Sequence, residues 1–129
     1  MSSAKPSLLA IIEIGGYPNF VPLYESLGFN TTVLTSQRKT RNYLKKQQPD
    51  VIVCEYNFQS DFRDRTSNLE TLLAVLQKYP GIKLIVFYMV ERKEKFALVE
   101  SRFDIFASLT FPIKEVELEK ILIQIVEET

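Results

Sequence analysis

With 129 residues, 46% of them hydrophobic, the chain has the size of one domain, 1–129, around a single core, and buries about two thirds of its unfolded surface. Its 16 basic and 16 acidic side chains balance, so no global attraction for nucleic acid or an anionic membrane exists and any basic patch must be local. One cysteine excludes an intramolecular disulfide, and the absence of histidine removes Ser/His and Cys/His pairs and His-rich metal sites, and with them most hydrolase and zinc-enzyme chemistry.

The N-terminus carries Lys5, but the apolar run that follows ends at Glu13. It matches neither a secretory signal nor a membrane span, and a cytoplasmic location is expected. Five short apolar runs then recur: Leu8 to Ile14, Thr32 to Leu34, Val51 to Cys54, Leu84 to Phe87 and Phe106 to Leu109. Runs rich in Val, Ile and Leu without strict alternation read as strands buried on both faces. Between them lie segments of helical spacing. Gly15-Gly16 makes a turn, and Phe20, Leu23, Tyr24 and Leu27 form a helical stripe that stops at Gly28. A second helix runs from about Gln37 to Lys46 before Pro49. Ser67-Asn68-Leu69-Glu70 is a capping box that opens a third, with Leu69, Leu72, Leu73 and Leu76 as its buried stripe. A fourth is expected over about Glu91 to Ser101 and a fifth over about Lys114 to Glu127.

Five βα units joined by right-handed crossovers give an α/β, doubly wound parallel sheet, whose commonest five-strand order is 2-1-3-4-5. Ligands of such sheets bind at the carboxyl ends of the strands, around the switch between strands one and three. The long connection from Tyr56 to Thr66, with Asp61, Arg63, Asp64 and Arg65, sits at that end. Gly15-Gly16 has neither a following Lys-Ser/Thr nor Gly-x-Gly-x-x-Gly spacing, so no nucleotide cradle is read there.

Leu27-Gly28-Phe29-Asn30, Gln48-Pro49-Asp50 running through Val51-Ile52-Val53-Cys54-Glu55-Tyr56-Asn57, and Ile82-Lys83-Leu84-Ile85-Val86-Phe87 together resemble the receiver domain of bacterial two-component response regulators. The resemblance covers about residues 7 to 127 and implies the flavodoxin-like (βα)5 fold. It also implies an acidic pair after strand one and a phospho-accepting aspartate ending strand three, which together hold Mg²⁺. A Ser or Thr after strand four and a Lys before a Pro after strand five complete that site. Here the acidic pair falls on Glu13 and Ile14, the acceptor on Glu55, the hydroxyl on Tyr88 and the Lys on Phe111, immediately before Pro112. One acid of the pair is gone, the acceptor is a methylene longer, and neither Tyr88 nor Phe111 can replace its counterpart. No Ser or Thr occurs anywhere from Ile82 to Glu100, so loss of the hydroxyl does not depend on register. The resemblance is therefore to a degenerate receiver. Glu55 has three readings: a structural carboxylate, an imitation of a phosphorylated aspartate limited by its single charge, or an acceptor helped by Mg²⁺ on Glu13 and Glu55. The resemblance implies a cis bond between Phe111 and Pro112.

Two further features point outward. Arg38, Lys39, Arg41, Lys45 and Lys46 put five cations on the second helix with only Tyr43 among them. Nucleic acid would need more aromatic platforms, so a solvated face, or an acidic or phosphorylated partner, is the reading. On the last helix Leu118, Ile121, Leu122 and Ile125 share one side while Val116 and Ile123 fall nearly opposite. With Phe96, Phe103 and Phe106 they make a candidate face for a homodimer or protein partner on the last two helices and strand five. Cys54 reads as a small buried hydrophobe. The function expected is a non-catalytic, stand-alone pseudo-receiver acting through protein contacts, not an enzyme and without a cofactor. The alternatives are a phosphoryl-accepting receiver using Glu55 and Mg²⁺, and a flavodoxin-like domain binding a small ligand near Glu13, Glu55 and Tyr88.

Overall fold

The apolar runs fold as strands and the periodic segments as helices in a computed structural model that describes residues 6–12, 19–35, 37–56 and 68–128. The order is β1 (Ser7–Ile11), α1 (Val21–Ser26), β2 (Asn30–Leu34), α2 (Gln37–Lys46), β3 (Val51–Glu55), α3 (Asn68–Leu76), β4 (Lys83–Tyr88), α4 (Lys93–Glu100), β5 (Ala107–Thr110) and α5 (Glu115–Glu128). The strands form one parallel sheet in the order β2-β1-β3-β4-β5, as the βα repeat implied. No described helix is long and apolar enough to cross a membrane.

Side chains alternate across a strand, so each strand feeds two cores. Leu8, Ala10, Val51, Val53, Ile85 and Phe87 pack with Tyr24 and with Leu118, Leu122 and Ile125 of α5. On the other face Leu9, Ile11, Ile52, Cys54, Leu84 and Val86 meet Leu44 of α2, Leu72 and Leu73 of α3, and Phe96 and Val99 of α4. Each fully buried leucine contributes about 1.5–3 kcal/mol relative to exposure.

Local chemistry fixes the joints. α1 ends in a Schellman motif: the Gly28 N–H donates to the Glu25 carbonyl at 3.1 Å and the Phe29 N–H to that of Tyr24 at 3.1 Å. Gly28 has φ +94°, where a Cβ is strained. Tyr24 and Phe29 supply the apolar contact that accompanies such a stop. Pro49-Asp50 is a structural device: the Ser7 N–H donates to Asp50 Oδ2 at 2.8 Å. The Asp50 N–H donates to the Ser7 carbonyl at 2.9 Å and the Lys83 N–H to the Asp50 carbonyl at 3.0 Å, tying the starts of β1, β3 and β4 together.

The structure departs from the sequence reading in three places. β1 ends at Ile11, and Glu13, Ile14, Gly15 and Gly16 lie outside the described residues, as do Ser67 of the capping box and Asp61, Arg63, Asp64 and Arg65. The fourth helix begins only at Lys93, after a 3-10 turn over Val90–Arg92, because Arg92 at φ −103°, ψ 9° leaves helical geometry. Phe96, expected on the interaction face, belongs to the core: it is 1% exposed and packs between Tyr56, at 5.3 Å between ring centroids, and Tyr88, at 4.4 Å. Three residues before Val99 on α4, it shares that residue's buried side.

Candidate functional site

The carboxyl ends of β1 and β3 and the start of α1 enclose a cleft, at the switch point where strand order reverses. Its walls include Ile11, Phe20, Val21, Tyr24, Val53 and Phe87, and Glu55 lies on it as the sole carboxylate among the described lining residues. The interior volume is about 80 Å³, several times the roughly 10–15 Å³ one water requires. Local rules shape the mouth. Asn19 Oδ1 accepts the Val21 N–H at 3.1 Å, and Pro22 sits in the first turn of α1, where its missing N–H costs nothing. Phe20 meets Phe87 edge to face at 5.9 Å, closing the cleft floor against β4.

Glu55 ends β3, in register with Phe87, and is 6% exposed. Burial of the Tyr24 phenol pushes its pKa well above the ordinary value, so this cleft residue stays neutral throughout the physiological range. The resemblance assigns Mg²⁺ to Glu13 together with Glu55, and of the two only Glu55 is among the described residues. Among the described residues no group of three or more His, Cys, Asp or Glu gathers.

Tyr88 and Phe111 stand beside this cleft without lining it. Tyr88, opposite Thr110 at the end of the β4–β5 pair, turns its ring onto Phe96, with the planes 26° apart. Partial burial and then the Glu100 carboxylate raise its phenol pKa above the ordinary value. The phenol thus senses the Glu100 carboxylate of α4. The Phe111 N–H donates to the Tyr88 carbonyl at 2.9 Å, and the Phe111–Pro112 bond is cis, as the resemblance implied. Phe111 is 36% exposed.

Val116 and Ile123 project from α5, 61% and 38% exposed, and Phe106 is exposed at 36%. Leu98, 66% exposed, and Val90 are exposed apolar side chains on α4 and the turn before it. Sequence reading missed both, although Leu98 lies about 200° around α4 from Phe96 on a helical wheel. The cleft residues Asn19, Phe20 and Tyr24 were also missed as a site, since only the fold brings them to Glu55. Of the five cations on α2, Arg38, Lys39, Lys45 and Lys46 are exposed and Arg41 is half-buried.

No protein-family model matches the sequence, and no curated protein matches it. Solved structures do. The chain is similar to a response regulator receiver domain protein from Clostridium thermocellum, with 16% identity over 95% of each chain and a TM-score of 0.73. A chemotaxis response regulator of Vibrio cholerae matches at 17% identity, covering 95% of this chain and 99% of that one, with a TM-score of 0.72. A CheY-like receiver domain from Methylobacillus flagellatus matches at 21% identity, 95% and 99% coverage and a TM-score of 0.70. At such identities the shared property is the architecture, and the chain carries the fold of response regulator receiver domains from end to end.

Proposed function

We propose that the protein is a non-catalytic signalling module, a pseudo-receiver that works through protein contacts without conventional aspartyl phosphorylation, in the cytoplasm. The observation that carries this reading is the replacement of the two phosphate-sensing positions. Tyr88 is turned onto Phe96 and toward Glu100, and Phe111 precedes the cis Pro112 where the fold's chemistry would place a lysine. At those two positions the sequence has a phenol and an aromatic ring in place of the aliphatic hydroxyl and the cation that would hold a phosphoryl group. The exposed apolar surface of α4, β5 and α5, with Leu98, Val116 and Ile123, is the face for a protein partner or a second copy. A second reading has its own observation: Glu55 ends β3 on the cleft, where an acceptor would stand.

Intact mass after incubation with acetyl phosphate and Mg²⁺, beside Glu55→Gln, separates the two. An unchanged mass supports the pseudo-receiver. Stoichiometric phosphate that disappears in Glu55→Gln overturns it in favour of a working switch.

A further inference from the structure

The sheet has two edges, and they are protected differently. β5 is flanked by α4, whose Glu100 accepts a hydrogen bond from Ser108 Oγ at 3.1 Å. β2 pairs with β1 alone, through Asn30, Thr32 and Leu34: the Asn30 N–H donates to the Pro6 carbonyl and the Ile12 N–H to the Leu34 carbonyl, each at 2.9 Å. In a parallel pair the alternate residues point the other way. Thr31 and Val33 therefore present two N–H and two C=O groups outward, spaced about 7 Å along the strand. Edges are usually blunted by Lys, Pro or a bulge. Asn30-Thr31-Thr32-Val33-Leu34 has none of these, is uncharged and β-branched at its centre, and leaves Val33 42% exposed.

What lies beside that edge chooses the occupant. α2 contains five cations and no acid over Gln37–Lys46. At 100° per residue Lys39 and Lys46 fall on one flank of its buried Thr40 and Leu44, and Arg38, Arg41 and Lys45 on the other. The flank toward the β2 edge is thus cationic on either assignment. Arg38, Arg41, Lys45 and Lys46 form no ion pair with any described residue. Arg38 occupies the first turn, where the helix dipole disfavours positive charge. Thr32 and Leu34 lie on the α2 face of the sheet, in register with Leu9 and Ile11, while Thr31 and Val33 lie on the opposite face.

We infer that the β2 edge is a strand-addition site for an extended, acidic segment of a partner protein. The added strand alternates acidic side chains, facing α2, with β-branched apolar ones beside Val33. Backbone groups of Thr31 and Val33 give it affinity and α2 gives it charge selection, as in other β-augmentation. A second copy fits poorly, because pairing β2 with β2 in a continuous sheet would set two cationic α2 helices side by side on one face. The inference does not depend on whether Glu55 takes phosphate, so it can fail while the preceding reading stands.

The test uses a short synthetic peptide alternating glutamate and valine, with a lysine-for-glutamate peptide as control, followed by anisotropy and by amide hydrogen exchange. The expected result is binding of the acidic peptide alone, with the Thr31 and Val33 amides newly protected. Affinity should fall about tenfold or more in Val33→Pro, in Arg38→Glu/Lys39→Glu, and on raising salt from about 0.1 to about 0.5 M. Proline is tolerated at an outward-facing edge position. Should Val33→Pro not fold, protection at the two amides of the unaltered protein still decides. Absence of binding, equal binding of the lysine peptide, or dimerisation abolished by Val33→Pro overturns the inference.

Discussion

The two faces of this sheet are built on equivalent cores, and each carries one helix of strongly one-sided charge, the two of opposite sign. On one, α5 lays Leu118, Leu122 and Ile125 on the strands and turns outward five glutamates and a single lysine. On the other, α2 anchors through Thr40 and Leu44, both fully buried, and shows five cations and no acid. The zero net charge of the chain thus conceals two helices of opposite sign. Composition is blind to that segregation, and long-range fields depend on the arrangement as well as on the sum.

The comparison of cores can be broken by deletion. Phe96→Ala should cost about 3–5 kcal/mol and Leu122→Ala about 2–5 kcal/mol, because each ring or aliphatic group leaves a void among fixed neighbours. Urea denaturation with a shared slope measures both. A cost below about 1 kcal/mol for Phe96→Ala would return that ring to the surface role first expected of it. Next in size is Gly28→Ala, on the α5 side only. Nothing lies within 4 Å of the added Cβ, so the whole expected loss, about 1–2 kcal/mol, is the left-handed backbone at φ +94°. A melting temperature unchanged by this substitution would mean that α1 can end without its Schellman geometry.

What was legible in the sequence follows from how local each feature is. Strand order, βα alternation, the bounds of α2 and the stop at Gly28 rest on periodicity and backbone chemistry, and the structure has them all. The end of β1 was overextended because Ile12 continues an apolar run after the strand has ended at Ile11. Phe96 was misplaced because an aromatic on a short helix carries no sign of which way it faces until the strand beneath is known. The cleft draws Ile11, Tyr24, Glu55 and Phe87 from four separate elements, and no spacing rule joins them. For Tyr88 the sequence has a phenol where the resemblance places a small hydroxyl. That its ring would turn onto Phe96 was a property of tertiary packing.

Tyr24 offers a smaller and two-sided test on the α5 face. It is 3% exposed, and no described residue bonds to its hydroxyl. Tyr24→Phe should therefore gain about 1 kcal/mol near neutral pH by removing an unsatisfied polar group. The pH dependence has a fixed sign. A phenol whose folded pKa is raised contributes its full stability below the unfolded value of about 10, and loses it as pH rises from there through the folded value. The Phe variant should flatten that alkaline decline, leaving the weaker contribution of Tyr88. Equilibrium unfolding between about pH 7 and about pH 11 reads both effects, and a variant less stable at neutral pH would reveal a partner for the hydroxyl.

The smallest expected effects bear most directly on the opposed charges. Arg38 lies in the first turn of α2, whose first turn holds no acid, and Glu127 lies in the last turn of α5, which holds no base. Both stand against their helix dipoles. Arg38→Glu and Glu127→Lys should each gain about 0.3–1 kcal/mol at low ionic strength and lose that gain as salt rises, which paired melting curves at two salt concentrations will measure. If stability alone had shaped these surfaces, the gains would come with no other consequence. On the strand-addition reading they do not: Arg38→Glu weakens the acidic peptide while Glu127→Lys leaves it bound. A protein made more stable by Arg38→Glu and poorer at holding that peptide would show that α2 keeps Arg38 for a partner, against the interest of its own helix.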